Sequence, residues 1–508
     1  MHHLLCGLAA NPALPPELVD RLIAVADDDV DRDLAGRADL TRAQALTLAS
    51  RTEETGVRLA YEGRLTAADV DPAAQPLVAL ALLDEGVGRP EWAALLAADP
   101  AVRHREKLAA CPGLPADVVE TLAADPDVRV VAELALWTTE PDVAARLAGH
   151  PHAEVRRAVA ANEATPGAVL AALVAGEGLP PARHCLVCDR EEPPFAHGSD
   201  CARVDCDLRP GASCDGSHAS TEHDMLRAAL ANPATPAAAV EGFAGHPSML
   251  LRRALAARTD LPAWAYARLA VDAASGIRAD LAENPAIDDT LMRALADDPD
   301  PGVRRGLADN PRVPLDVLAL LAATTRIGGT LLPRIASAGA AEVEELARSP
   351  YAAVRMLLAR RRDLPDGIRD ALADDPDAKV VQAVARHPGL SGALLRAMVD
   401  RHGVQIVAAV AANPGAGPAL LEHLARHSPP SRKALREIAR HPAATAPALV
   451  VCLTDERARP IAAGHPALPP QAIAELLTHT DGWVVEAAAA NPSLPLTVLR
   501  ELVSRPAS

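Results

Sequence analysis

One phrase returns along this chain at a fixed step. ANPATP at 231–236 is followed by ARTDLP at 257–262, ENPAID at 283–288 and DNPRVP at 309–314, each 26 residues after the last. Related copies stand N-terminally as ANPALP at 10–15, ACPGLP at 110–115 and ANEATP at 161–166. Others follow as RHPGL at 386–390, ANPGAG at 412–417, GHPALP at 464–469 and ANPSLP at 490–495. With looser copies between them, steps of roughly 24–28 residues give about 18 units. A chain of 508 residues built this way need not close one large core, because each unit buries its apolar face on its neighbours.

Each unit reads as two short helices. Forty-five prolines among strong helix formers exclude a few long helices. Thr235 and Thr165 are expected to cap the first helix, with Pro236 and Pro166 at the first helical position, where a missing N–H costs nothing. Leu315, Leu318 and Leu321, like Leu496, Leu499 and Val503, then follow helical spacing and should share a buried face. The second helix follows an acidic turn such as DDPDPGVRRGLADN at 297–310, with Val303 and Leu307 one turn apart. The expected fold is all-α, a right-handed α-solenoid. Its organisation is a repeat solenoid over 1–178, a Cys-rich insert over 179–222, and a second stretch over 223–508 that continues the first.

The recurrent N-P-x-x-P phrase, leucine-bearing helix and D-P-x-x-V-R turn resemble the leucine-rich repeat variant family over nearly the whole chain outside the insert. The resemblance implies units of one α-helix and one 3₁₀ or short helix, without β-strands, similar in appearance to HEAT-like repeats.

Composition narrows the function classes. A formal net charge of −17 argues against broad binding to nucleic acid or an anionic membrane. Two Phe and three Tyr leave little for base stacking. No leader pattern opens the sequence and no apolar run approaches the ~20 residues that span a bilayer, so the expected location is cytoplasmic. There, clustered cysteines suggest metal or redox chemistry rather than structural disulfides.

Arg252, Arg278 and Arg304 recur every 26 residues, as do Arg103 and Arg129. They read either as an internal ladder paired with acids such as Asp99, Asp125, Asp298 and Asp300, or as a basic stripe for nucleic acid. The ladder is preferred, since stacking itself demands identical positions in each unit. Trp92, Trp137, Trp264 and Trp483 read as half-buried filler or as partner anchors. Cys6, Cys111 and Cys452 read as small apolar residues. Histidines in His-Pro pairs at 150, 246, 387, 441 and 465 replace the Asn or Asp of the repeat and should bond local backbone. No phosphate loop, nucleophile elbow or H-E-x-x-H is present, so the chain reads as non-enzymatic.

The insert is the exception. Asn162 and Asn232 mark consecutive phrases 70 residues apart, so about 44 residues have been added to one unit. They replace the acidic turn between the helices at 165–176 and 223–233. Eight acids against four arginines and few apolar residues cannot build a core, so a staple is expected. Cys185, Cys188, Cys201, Cys206 and Cys214, followed by His218, supply it. Cys185 and Cys188 form a C-x2-C pair that brings two thiolates to one metal, and Cys201 with Cys206 can complete a tetrahedral or cuboidal site. Zinc and an iron–sulfur cluster both suit four thiolates, with His184, His197, His218 and His223 nearby.

The family resemblance implies a [4Fe–4S] cluster on four of those five cysteines, although the family's cluster domain is N-terminal and this one is central. Residues 214–218 also match the pentapeptide of CDGSH iron–sulfur proteins, whose [2Fe–2S] cluster takes three Cys and the His. The C-x-C pair of that family is missing. The resulting expectation is a protein-interaction scaffold carrying an iron–sulfur or zinc centre, with [4Fe–4S] favoured. The alternatives are a redox or electron-transfer protein and nucleic-acid binding through the arginines.

Overall fold

The computed structural model describes residues 2–186, 188 and 218–504. Among these there are thirty-five α-helices, one 3₁₀ helix and no strand. Most helices span two to three turns and could not stand alone; their stability comes from packing.

Contacts divide the chain into two units. Unit 2 is Thr66–Ile327. In it the second helices of successive repeats stack in one layer: Val128–Trp137 on Ala153–Ala161, then Ala219–Ala231, Met249–Ala256, Ser275–Glu283 and Pro301–Asp309. A second layer holds the first helices, as where Ala263–Ala270 packs on Asp289–Ala296 and that on Leu315–Thr324. Val303, Leu307, Leu318 and Leu321 are fully buried between layers. Small residues let the second helices approach closely: a Cβ on Gly306 would stand 2.6 Å from the Ala279 carbonyl oxygen of the preceding repeat. Unit 1 joins Met1–Leu65 with Gly328–Ser508 and repeats the same two-layer arrangement.

The phrase itself forms a spine. Asn310 donates through Nδ2 to the carbonyls of Ala282 and Asn284, both at 2.8 Å. Asn284 does the same to Ala256 and Arg258, and Asn232 to Ala160 and Asn162. The Oδ1 of each accepts the backbone N–H two residues on. One buried amide therefore satisfies two orphan helix-end carbonyls of the previous repeat and its own turn. Arg258 substitutes in the same place, reaching Leu230 and Asn232.

Two expectations change. Thr165 and Thr235 do not cap; their hydroxyls donate back to the Val159 and Ala229 carbonyls, and Pro166 and Pro236 take the cap position in extended backbone. The proline carbonyl opens the helical ladder instead, accepting the N–H three residues on, from Val169 and Ala239. Leu496 is exposed while Leu499 and Val503 are buried, because the first turn of that helix lies outside the packed layer.

Candidate metal centre

The spine passes the insert without a break. Asn232 reaches back over the added residues to Asn162 as its counterparts do over 26, and the Ala153–Ala161 and Ala219–Ala231 helices pack as neighbours. The insert thus leaves and rejoins at one turn, between the Gly167–Ala175 helix and Ala219–Ala231.

That turn can be recognised by what the ladder arginines do elsewhere. Arg252 and Arg278 each bind the carboxylate 20 residues ahead, Asp272 at 2.6 Å and Asp298 at 2.7 Å. Each also donates to the carbonyl six residues behind. Arg105 and Arg355 make the same pairs with Asp125 and Asp375. The hydrogen bond from Arg278 outweighs burial and holds the Asp298 carboxyl below its usual range. Arg156, the counterpart before the insert, keeps the backward bond to His150 but donates forward to the Pro180 carbonyl at 2.6 Å. Inserted backbone stands where other repeats have the acid. Burial accordingly lowers the pKa of Arg156.

From Pro180 the segment runs beside the turn that starts the Ala153–Ala161 helix. Arg183 donates to the Pro151 carbonyl at 2.7 Å, and Ala153 donates to that of His184 at 2.9 Å. This brings Cys185 to a buried position and Cys188 to an exposed one. The Cys185 N–H points to Cys188 Sγ at 3.1 Å and the Cys188 N–H to Cys185 Sγ at 3.5 Å. Such bonds fix the direction of sulfur ligands.

His218 arrives from the far end of the insert. It stands at the cap of the Ala219–Ala231 helix with φ 55°, the one non-glycine residue of positive φ among those described. Left-handed backbone at a histidine is uncommon and marks a constrained site. The buried ring puts Nδ1 3.8 Å from Cys188 Sγ. One ligand atom each from Cys185, Cys188 and His218 lie within 4.8 Å of one another.

These donors fit a metal ion: two soft sulfurs and one imidazole, close enough for a single ion at bonds of about 2.0–2.3 Å. They are three of the six residues expected. Cys201, Cys206 and Cys214 fall outside the described residues, as does His197. His223 lies apart from the group and bonds Ser248 Oγ at 2.7 Å.

Most other candidates resolve as structure. Arg252, Arg278 and Arg304 point into the stack; Arg304 pairs with Thr325 Oγ1 where its neighbours meet an acid. Arg103 and Arg129 are not part of this ladder: the rung there is Arg105, while Arg129 pairs with Asp127 in its own turn. Trp92 is buried filler, but Trp137, Trp264 and Trp483 are more than half exposed. Burial pushes the thiols of Cys6, Cys111 and Cys452 up to about 12, which keeps them protonated and inert. His150, His246, His387, His441 and His465 each accept through Nδ1 the N–H two residues on. His441 and His465 also reach the previous repeat, donating through Nε2 to Asn413 and His441 carbonyls. That second role was not foreseen; the exact exchange of His for Asn at the phrase position was its signal.

No family model and no curated protein matches the chain. Among solved structures, a chain of the Pds5–Scc1 complex aligns over 94% of this chain and 84% of its own, at 13% identity and TM-score 0.24. A chain of the AP-3 complex in an intermediate open conformation aligns over 96% and 85%, at 11% identity and TM-score 0.18. Superpositions this loose carry no argument, and the fold stands on the repeats themselves. No helix among the described residues is long and apolar enough to cross a membrane.

Proposed function

We propose that the chain is a non-enzymatic helical-repeat scaffold for a protein partner, with a metal ion stapling its insert. The observation that carries this reading is the meeting of Cys185, Cys188 and His218 at a turn past which the repeat spine runs unbroken from Asn162 to Asn232. The C-x2-C pair and the histidine come from opposite ends of the insert, so one ion would close the loop where it leaves and rejoins the repeats. Cys201, Cys206 and Cys214, outside the described residues, are the candidates for a fourth ligand. The close spacing of the three donors favours a single zinc ion over a cubane, whose cysteines each take a different iron. The repeat phrase supports grouping the chain with leucine-rich repeat variant proteins, and the exposed Trp137 and Trp264 supply anchors for a partner.

A redox role is the second reading, favoured by one observation: the histidine that joins the cysteine pair is that of the CDGSH pentapeptide. Anaerobic purification of the full chain, with metal quantification and an absorption spectrum, separates the two. One zinc and a colourless protein support the staple; visible absorption bleached by reductant supports the cluster. Metal-free protein overturns both. Affinity purification with cross-linking tests the scaffold: a partner cross-linked to the repeats and lost in Trp137→Ala/Trp264→Ala supports it, and no partner counts against it.

A further inference from the structure

A solenoid ordinarily has two raw ends that need capping repeats. In unit 1 the first and last repeats of this sequence pack on each other. The His2–Ala10 helix packs on Gly482–Ala489, and Pro16–Val25 packs on Leu496–Ser504, so both layers continue from the last repeat into the first.

The register is that of an interior junction. Asn11 donates through Nδ2 to Ala489 at 2.8 Å and Asn491 at 2.9 Å, as Asn310 does to Ala282 and Asn284. Gly7 stands four residues before Asn11 as Gly306 does before Asn310. A Cβ on Gly7 would collide with the Glu486 carbonyl oxygen, the counterpart of Ala279 beneath Gly306. Asn11 and Asn491 are both wholly buried. The seam then adds contacts of its own: His3 Nδ1 lies 2.7 Å from Glu486 Oε2, and the His3 ring packs against Trp483 at 5.3 Å between centroids. Arg37 carries the spine onward to Ala9 and Asn11.

We propose that the first and last repeats are a complementary docking pair, and that the partner fitting either half, once its own mate is damaged, is a second copy of this chain. The two faces differ, so the contact is heterologous: a chain with one good N-terminal face and a chain with one good C-terminal face can still make one intact seam between them.

The test uses two full-length variants. Gly7→Val damages the N-terminal face and leaves the C-terminal one; Ala489→Leu does the reverse. Each alone is expected to sediment as a monomer, and their mixture as a 1:1 heterodimer of doubled mass. Gly306→Val, which makes the same clash at an interior junction, should not pair with Ala489→Leu. In the wild-type chain, amide exchange in His2–Ala10 should be within about tenfold of that in Pro301–Asp309. A mixture that stays monomeric overturns the proposal, as does a wild-type first helix that exchanges like a frayed end. Should either variant lose its helical signal, the wild-type exchange rates decide alone.

Discussion

Asn310 holds the backbone carbonyl of Asn284, 26 residues earlier, with its side-chain amide at 2.8 Å. That relationship, repeated, explains why the phrase recurs: the asparagine amide satisfies two buried carbonyls of the preceding helix end and its own turn together. Asn310→Ala should therefore cost about 3 kcal/mol, since each buried group left unpaired costs about 1–3 kcal/mol. Denaturant unfolding of the variant beside the exposed control Arg312→Ala measures it.

The arginine ladder predicts coupling. Side chains of Arg278 and Asp298 are both largely buried, and removing either strands the other. Single alanine variants should each destabilise by roughly 3 kcal/mol, and the double-mutant cycle should give a coupling of about 1–3 kcal/mol. The Asp298 pKa is depressed, so its contribution is present above the unfolded value of about 3.9 and is lost as pH falls through the lower folded value. Unfolding midpoints of wild type and Asp298→Asn should converge on acidification.

Histidine at the phrase position should make unit 1 acid-sensitive. Burial lowers the pKa of His465; burial and the nearby Arg369 and Arg362 lower that of His387. Above about pH 6.5 both folded and unfolded rings are neutral. As pH falls below that, the unfolded ring takes up a proton first, and stability is lost until the lower folded pKa is passed. His465→Asn and His387→Asn restore the common residue and should reduce the drop in melting temperature between about pH 7 and about pH 5. An unchanged drop would mean these rings do not carry it.

The insert should be separable from the stack. Cys188→Ala or chelation is expected to release metal and increase protease cleavage within 189–217, while far-UV helicity changes little. The spine between Asn162 and Asn232 does not pass through the insert. Loss of helical signal on chelation would instead make the insert part of the stacking.

Much of this was legible because repetition amplifies it. The two-helix unit, the insert's place between Gly167–Ala175 and Ala219–Ala231, and the pairing of Arg252 and Arg278 followed from spacing. The role of the phrase asparagine did not, because spacing shows that a residue recurs and not which carbonyls it reaches. Thr165 and Thr235 looked like caps because Ser or Thr before a helix usually is one; here proline fixes the entry and frees the hydroxyl to bond backwards. The packing of the first repeat on the last was invisible to a translational repeat, which shows only nearest neighbours in sequence. A trace of it lay in GLAAN at 7–11, which matches GLADN at 306–310. Within the insert, the C-x2-C pair was evident, but that His218 rather than another donor joins it depended on the helix cap that delivers it.

X-ray absorption at the edge of the bound metal, on full-length wild type and His218→Ala, tests the metal centre most directly. A mixed sulfur and nitrogen shell in the wild type, with the nitrogen contribution lost in the variant, is the predicted result. A metal-free wild type, or an all-sulfur shell unchanged by the substitution, would contradict it.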